Sequence, residues 1–469
     1  MAEEGVLKPG DRLPPIRKLS ELLGVNSITA VKAYDLLEQR SLVTKKRGSG
    51  VYIQRGEENT PIPDSDELYL DREIELMRQG SVELSASVIN FATATPSSDL
   101  FPAASFKRAL NAVLDRDGGR AFEYDEANGY TPLREQVADL LARRYSIATS
   151  PERLQAISGA QQGIDIVAKA LLSPGDEVIV EEPTYTGALA VFKSRGARIT
   201  GIPMTSSGMS ISRLKKVLSS RKVKLIYLMP DFQNPTTVSY TPEKRQTLLE
   251  LARSFQCYII EDDYLSDMHF APRSLPKPLK SYDIPGDERV IYIKSFSKLL
   301  MPGLRIGFLT APKPIARSIL QAKHLTDIAS SGLIQRAFDL YLRSGEWETH
   351  LEQIRSLFQY RHRLLLRAVG NRFGSRAIEH PPAGGFNLWL HLPEQAGGTE
   401  LYRKALAKGV AVSPGILFST DGIQYDEYIR LSIAAVGEEH IDRGIALLAE
   451  AVRELGRVGN PGTTLSPMM

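Results

Sequence analysis

The chain has 469 residues, of which 42% are hydrophobic and 24% charged, and its formal net charge is +3. These values are ordinary for a globular protein, and about three domains are expected at this length. No run of about 18 apolar residues occurs and residues 1–10 lack the apolar segment of a signal peptide, so we predict a cytoplasmic protein without a membrane span. The single cysteine, Cys257, cannot form an internal disulfide, and the histidines show no metal-ligand spacing, so no metal is expected.

Residues 1–55 predict a winged helix-turn-helix domain. Residues 13–25 have the apolar spacing of a short helix that ends at Gly24. A second helix is expected to run to about residue 38 from one of three polar residues, Asn26, Ser27 or Thr29. Apolar stretches at 42–44 and 51–53 then flank a basic tip, which predicts a hairpin. Ten Lys and Arg against six Asp and Glu favour DNA binding over a helical domain for protein contacts.

The stretch Leu-Lys-Pro-Gly-Asp-Arg-Leu-Pro at 7–14, the helix pair and Gly-Ser-Gly-Val-Tyr-Ile at 48–53 together resemble the GntR class of bacterial regulators. The resemblance implies DNA contacts from six residues, Arg17, Ser27, Thr29, Lys32, Arg47 and Gly48. Arg17 and Lys32 would mostly hold phosphates, whereas Ser27 and Thr29 could reach base edges. The class has a further helix before this turn, so we expect the start of the chain to be truncated or misassigned.

Residues 56–64 are polar, acidic and broken by prolines, and residues 67–78 have helical spacing; the whole stretch 56–90 is interpreted as a linker. A sheet domain is predicted at 91–330. In this domain, apolar stretches alternate with helical patterns, which is typical of a mainly parallel sheet covered on both faces. Strands are expected at 178–180, 198–202, 225–229, 258–260, 290–293 and 306–309, and helices at 161–172, 184–193 and 242–255. Ligands bind at the carboxyl ends of such strands.

Lys298 follows the predicted strand at 290–293. Burying an ammonium is costly unless it is paired or takes part in chemistry, and a desolvated lysine can attack a carbonyl. Ser295, Ser297 and Arg305 add donors suited to a phosphate monoester, and an aldehyde that carries a phosphate indicates pyridoxal 5′-phosphate. A surface lysine would be the simpler interpretation of an isolated Ser-x-Ser-Lys, but the surrounding motifs favour a cofactor site.

Ser-x-Ser-Lys followed by Pro-Gly-Leu-Arg-x-Gly-Phe at 302–308 resembles the cofactor lysine segment of fold-type I aminotransferases. The resemblance implies that Tyr185 stacks on the pyridine and that Asn234 and Tyr264 contact its phenolic oxygen. Asp262 would hold the ring nitrogen, with Glu261 and Asp263 as alternatives. The turn Gly159-Ala160-Gln161 precedes a helix, so its backbone N–H groups can point at an anion. The resemblance also implies a homodimer in which Tyr124 touches the partner's phosphate.

Residues 331–458 predict a smaller α+β domain, followed by a flexible tail at 459–469. Strands are expected at 384–392 and 428–433, and helices at 401–408 and 444–455. Arg430 lies inside the second strand, where an unpaired guanidinium would be costly, so either a ligand carboxylate or a structural ion pair is expected. In aminotransferases, which this region resembles, the position holds the α-carboxylate of the amino acid.

Taken together, the chain resembles the MocR branch of the GntR regulators, a winged helix fused to an α/β aminotransferase unit of fold type I. The resemblance implies a transcription regulator that binds its own upstream DNA. Lys298 would hold pyridoxal phosphate as an internal aldimine that an amino-acid-like effector attacks. One alternative is an aminotransferase of the 2-aminoadipate or aromatic type with a vestigial N-terminal domain, which the shortened first helix favours somewhat. Another is a regulator of vitamin B6 metabolism that responds to the cofactor itself.

Overall fold

The computed structural model describes residues 11–39, 43–46, 50–53, 85, 87–270, 276–394 and 396–458. The chain divides into two compact units, residues 1–82 and residues 83–469. The wing residues Arg47 and Gly48, the predicted tail and most of the predicted linker lie outside the described residues. None of the helices in the described ranges combines the length and the apolarity that a membrane span requires.

The first unit contains α1 (Ile16–Leu23), α2 (Ser27–Gln39), β1 (Val43–Lys46) and β2 (Gly50–Ile53), and the two strands pair antiparallel. Gly24 ends α1 in the left-handed conformation, with φ of 63°. Asn26 Oδ1 accepts the Thr29 N–H at 2.8 Å, so Asn26 caps α2. Tyr34 is buried, and its hydroxyl donates to the Pro14 carbonyl at 2.6 Å. The predicted helix pair and hairpin are thus confirmed.

The second unit is built on a sheet whose strands are β4 (Leu154–Ile157), β5 (Glu177–Glu182), β6 (Arg198–Thr205), β7 (Gly208–Met209), β8 (Val223–Leu228), β9 (Tyr258–Asp263), β10 (Val290–Ser295) and β11 (Gly307–Thr310). Their order is β4-β11-β10-β9-β8-β5-β6-β7. The five strands from β10 to β6 in this order are parallel, whereas β4, β11 and β7 pair antiparallel with their neighbours. The mainly parallel sheet is confirmed, and all six predicted strands are present.

Helices cover both faces of this sheet, because the side chains of each strand alternate between two apolar layers. The helices that precede or flank it are α3 (Ala103–Asp117), α4 (Thr131–Tyr145), α5 (Ala160–Leu171), α6 (Thr186–Ser194), α7 (Ile211–Ser220), α8 (Pro242–Ser254) and α9 (Lys313–Asp327). Val178 and Val180 of β5 pack in a layer with α5, α6 and α9. Ile179, between them, packs in the opposite layer with α7 and α8.

The remaining elements are β3 (Ile89–Asn90), α10 (Gly332–Arg343), α11 (Glu346–Phe373), β12 (Asn387–His391), α12 (Gly398–Ala407), β13 (Val410–Ala411), β14 (Ser413–Pro414), β15 (Tyr428–Ser432) and α13 (Glu438–Val458). β12, β15 and β14 form an antiparallel sheet. β3 pairs in parallel with β13. The end of the predicted linker therefore lies beside these later elements, although in sequence it comes before the large sheet. The long helix α11 was not predicted.

Candidate cofactor and ligand site

The predicted site residues follow the carboxyl ends of neighbouring strands. Tyr185 comes after β5, Asn234 after β8, Asp262 near the end of β9 and Lys298 just after β10. These four strands are consecutive in the sheet, and β9 pairs with β10 so that Asp262 lies opposite Ile293. Parallel strands end at the same edge, so the sheet brings these side chains together there.

The Lys298 side chain is half-buried, and its Nζ donates to Thr95 Oγ1 at 2.7 Å. Desolvation lowers the pKa of Lys298 to about 8, and the nearby Arg430 and Arg305 guanidinium groups act in the same direction. A lysine in this state has a much larger neutral fraction near neutral pH than an exposed one. Its amine is therefore suited to nucleophilic attack.

Asp262 has one carboxylate oxygen that lacks a partner. The Tyr227 hydroxyl donates to Oδ2 at 2.8 Å, whereas Oδ1 is buried without a hydrogen bond. Desolvation raises the pKa of Asp262 to about 7, although the Tyr227 hydrogen bond opposes this rise. An unpaired buried acceptor is costly, so Oδ1 suits an N–H donor from a ligand.

The two neighbouring acids are already engaged elsewhere. Glu261 accepts the backbone N–H groups of Leu279 and Lys280 at 2.7 and 2.9 Å. Asp263 accepts from the hydroxyls of Tyr292 and Ser266 and from Lys294. Among the three adjacent carboxylates, the geometry therefore favours Asp262 as the partner of a ring nitrogen.

Donors for an anion converge at the start of α5. Gly159 precedes this helix with φ of 87°, and the first N–H groups of a helix have no carbonyl partner within it. Arg305 lies against this turn and donates to the Ser158 carbonyl; a Cβ on Gly159 would come within 2.9 Å of Arg305 Nη2. The Ser297 hydroxyl is buried without a partner, and Ser295 Oγ accepts the Ser297 N–H at 3.3 Å.

Arg430 is buried and has neutral partners. Nη1 donates to Asn234 Oδ1 at 3.0 Å, and Nη2 donates to the Ala92 carbonyl and, at 3.2 Å, to Ser413 Oγ. No carboxylate of the described residues forms an ion pair with it, and its Nε has no hydrogen-bond partner. Desolvation lowers the pKa of Arg430 to about 10. Of the two interpretations from the sequence, this environment favours a ligand carboxylate over a structural ion pair.

The remaining predicted residues have different surroundings. The Tyr185 hydroxyl donates to Gln161 Oε1 at 3.2 Å, which joins the turn before α6 to α5. The Tyr264 hydroxyl donates to the Phe232 carbonyl at 2.6 Å. Tyr124 is 85% exposed.

In the first unit the four described residues expected to contact DNA are all exposed: Arg17, Ser27, Thr29 and Lys32.

The sequence did not reveal three contributors to this site. Tyr227 was included in an apolar strand, although a buried hydroxyl in such a strand requires a partner and is therefore a signal. Thr95 and Ala92 lie in a stretch to which no chemistry was assigned. The Ala92 contact is made by a backbone carbonyl, which no side-chain pattern could have indicated.

The residues present fit pyridoxal phosphate. The unpaired Asp262 Oδ1 suits a pyridine N–H, and the Ser297 hydroxyl with the start of α5 suits a phosphate. Lys298 supplies the amine. The fold and this site define an aminotransferase-like protein of fold type I that carries a winged helix at its N-terminus.

Comparisons with known proteins agree with this assignment. The family model for aminotransferase class I and II matches residues 86–448, and the model for bacterial regulatory proteins of the gntR family matches residues 2–53. The aromatic-amino-acid aminotransferase 1 of Thermococcus litoralis is 33% identical over 374 residues, which span 79% of this chain and 89% of the relative. A Bacillus subtilis protein named as the uncharacterized HTH-type transcriptional regulator YdfD is 30% identical over 95% of this chain and 92% of its own.

Among solved structures, the α-aminoadipate aminotransferase of Thermus thermophilus, complexed with N-(5′-phosphopyridoxyl)-L-leucine, is similar with a TM-score of 0.74 and 30% identity. The match covers 81% of this chain and 97% of that one. The chain belongs to the aminotransferase class I and II family and joins it to a gntR-family DNA-binding region, which is the architecture of MocR regulators. Membership in this family implies pyridoxal phosphate as the cofactor.

Proposed function

We propose that this protein is a transcription regulator that binds DNA through its winged helix and senses an amino-acid-like amine through pyridoxal phosphate at Lys298. The observation that supports the proposal most is that one chain matches the gntR family at residues 2–53 and the aminotransferase family at residues 86–448. The regulator relative also matches 95% of this chain, whereas the aminotransferase relative matches 79%.

Each residue of the site has a role in this proposal. Pyridoxal phosphate supplies an aldehyde with which amines condense. Lys298 would provide the resident amine, and Asp262 would hold the proton on the ring nitrogen. Phosphate would be held by four groups of this chain, namely Ser295, Ser297, Arg305 and the Gly159-Ala160-Gln161 turn. Tyr185 would stack on the ring, Asn234 and Tyr264 would contact its phenolic oxygen, and Arg430 would hold a ligand carboxylate.

DNA would be contacted by the first unit of a homodimer. The exposed Arg17 and Lys32 suit DNA phosphates, and Ser27 and Thr29, at the start of α2, suit base edges. The 85% exposure of Tyr124 is compatible with a contact to the partner's cofactor phosphate. The second unit would divide near residue 330 into a large cofactor domain and a small domain.

The second candidate is an aminotransferase of the aromatic or 2-aminoadipate type. It is supported by the 33% identity to an aromatic-amino-acid aminotransferase and by the side chains suited to pyridoxal phosphate, among them Asp262 and Lys298. In this case the ligand would be a substrate, and the first unit would have no part in activity.

Two assays on the full-length protein distinguish the candidates. A regulator should bind its own upstream DNA with an affinity that falls steeply with salt. Arg17→Ala with Lys32→Ala should weaken this binding and reduce the salt slope by about 4, because each phosphate contact contributes about 1 and the proposed homodimer loses two contacts in each subunit. Turnover of L-2-aminoadipate or L-phenylalanine with 2-oxoglutarate at about 1 s⁻¹ or more, without salt-sensitive DNA binding, would identify an aminotransferase instead.

The rate at which the cofactor-free protein takes up pyridoxal phosphate should rise with pH and level off above about pH 8. The neutral amine is the nucleophile, and the lowered pKa of Lys298 makes it predominant above that pH, whereas an ordinary lysine has a pKa of 10.5. Stopped-flow absorbance at the visible band of the protein-bound cofactor measures this rate, with Nα-acetyllysine as the reference. A rate that continued to rise to pH 10 would show that Lys298 is an unperturbed lysine.

Tyr227→Phe should weaken pyridoxal phosphate binding about tenfold or more, because it removes the hydroxyl that donates to Asp262. Hydrogen bonds to charged groups contribute about 1.5–3 kcal/mol. Without this donor the pKa of Asp262 should rise further, so the loss of affinity should be larger at pH 6 than at pH 8.5. The control is Tyr292→Phe on the neighbouring strand β10. This change removes an equally buried hydroxyl, which donates to Asp263 and not to Asp262. Equal losses of affinity in the two variants would refute the role of Tyr227.

A further inference from the structure

The segment that connects the predicted linker to the second unit is here called the arm and comprises residues 89–95. It is fixed to the small antiparallel sheet and its neighbours by backbone hydrogen bonds. The Phe91 N–H donates to the Ala411 carbonyl at 2.9 Å, and the Phe91 carbonyl accepts the Ser432 N–H at 2.8 Å. Ser432 and Arg430 lie on the same strand, β15. The arm therefore runs directly beside the proposed carboxylate site.

The arm contacts both of the residues on which the proposed ligand chemistry depends. The Ala92 carbonyl accepts from Arg430 Nη2, and Thr95 Oγ1 accepts from Lys298 Nζ at 2.7 Å. The side chain of Asn90 holds the intervening turn, because its Oδ1 accepts the N–H groups of Ala92 and Thr93 at 3.0 and 3.1 Å. Asn90 thereby aims the Ala92 carbonyl at the guanidinium.

While the Ala92 carbonyl and Ser413 keep their contacts, neither edge of Arg430 is free to donate two parallel hydrogen bonds to a ligand carboxylate. A guanidinium can donate two parallel hydrogen bonds from either of two edges, Nε with Nη2 or Nη1 with Nη2, so Nη2 belongs to both. Both hydrogens of Nη2 are engaged, by the Ala92 carbonyl and by Ser413 Oγ at 3.2 Å. A carboxylate is charged and a peptide carbonyl is neutral, so the carboxylate is the stronger partner in a buried site.

We propose that the arm occupies the place of the ligand: a carboxylate-bearing ligand displaces the Ala92 carbonyl from Arg430 and so releases the segment that leads in sequence to the winged helix. This inference rests on the proposed function. It supplies a route within a single chain from the ligand site to the DNA-binding region. It also sets specificity, because an amine that lacks a carboxylate leaves the arm in place.

The first test compares two ligands that differ in the carboxylate. N-(5′-phosphopyridoxyl)-L-leucine carries it, and N-(5′-phosphopyridoxyl)-3-methylbutylamine is the same conjugate without it. Amide hydrogen exchange of the full-length protein should become at least fivefold faster in peptides covering residues 89–95 when the leucine conjugate binds. The amine conjugate should leave this exchange unchanged. Equal effects of the two conjugates, or slower exchange with the leucine conjugate, would overturn the inference.

The second test uses Asn90→Ala, which frees the turn that positions the Ala92 carbonyl. Removing a competitor should raise the affinity for the leucine conjugate about three- to tenfold and leave that for the amine conjugate unchanged. A residue with a merely structural role would weaken both or neither, and either outcome would refute the inference. Both measurements are made without DNA, so a protein that failed to bind DNA would contradict the proposed regulator and leave the arm result standing. If neither conjugate bound, the cofactor site and the inference would fall together.

Discussion

Lys294→Met is expected to destabilise the second unit by about 3–5 kcal/mol, the usual cost of leaving a buried charge without its partner. Lys294 is 1% exposed and lies 3.1 Å from Asp263 Oδ2 and 2.8 Å from Asp267 Oδ2. Desolvation alone would lower the pKa of Lys294, but the two carboxylates outweigh it and raise this pKa well above its usual value. Methionine has a similar shape and no charge, so the variant leaves both carboxylates inside the protein with fewer donors.

Tryptophan fluorescence during urea unfolding measures this loss, because both tryptophans of the chain, Trp347 and Trp389, lie in the second unit. The matched control is Lys224→Met, the same substitution in an ion pair whose lysine is 44% exposed and lies 3.3 Å from Asp176. Exposed pairs contribute about 1 kcal/mol or less. If Lys294→Met cost no more than Lys224→Met, the buried pair would not support the sheet.

Arg430→Lys should lower the affinity for N-(5′-phosphopyridoxyl)-L-leucine about 10- to 100-fold, while the affinity for the conjugate of 3-methylbutylamine changes less than about threefold. Lysine keeps the positive charge but loses the planar fork that binds a carboxylate through two parallel hydrogen bonds. Hydrogen bonds to charged groups contribute about 1.5–3 kcal/mol each, and the shorter ammonium retains part of this attraction. Isothermal titration of the cofactor-free protein with each conjugate measures the two affinities.

Arg372→Lys is the control for this experiment. Arg372 donates two parallel hydrogen bonds of 2.8 Å each to the carboxylate of the exposed Asp442, which is the same bidentate geometry. That substitution should leave both affinities unchanged. A similar loss for both conjugates in Arg430→Lys would mean that Arg430 maintains the shape of the pocket and does not recognise the carboxylate.

The sequence could predict the parallel sheet because its strands are continuous apolar stretches bounded by helical patterns. β5 and β9 are examples, since each contains such a stretch and ends in acids at the edge where ligands bind. Short elements were missed for the opposite reason. β7 has two residues, and β4 is a four-residue strand that includes a glutamine, so neither carries enough pattern to be distinguished from a loop.

Contacts between residues far apart in the sequence distinguish two lysines that the sequence alone could not. A lysine near a core strand must be paired or reactive, and this holds for Lys294, which lies within β10, as much as for Lys298. The structure separates the two: Lys294 is paired with two carboxylates, whereas Lys298 has the Thr95 hydroxyl as its hydrogen-bond acceptor. Their pKa values accordingly shift in opposite directions. Such partners come from residues distant in the sequence, which no local pattern identifies.

The most direct test of the account is to identify the lysine that reacts with pyridoxal phosphate. Borohydride reduction of the loaded protein followed by trypsin digestion and mass spectrometry should place the label on Lys298, in the peptide of residues 295–305. Lys298→Ala should give no labelled peptide in this region under the same conditions. A label on Lys294 or on any other lysine at equal yield, or labelling that persists in Lys298→Ala, would contradict the account.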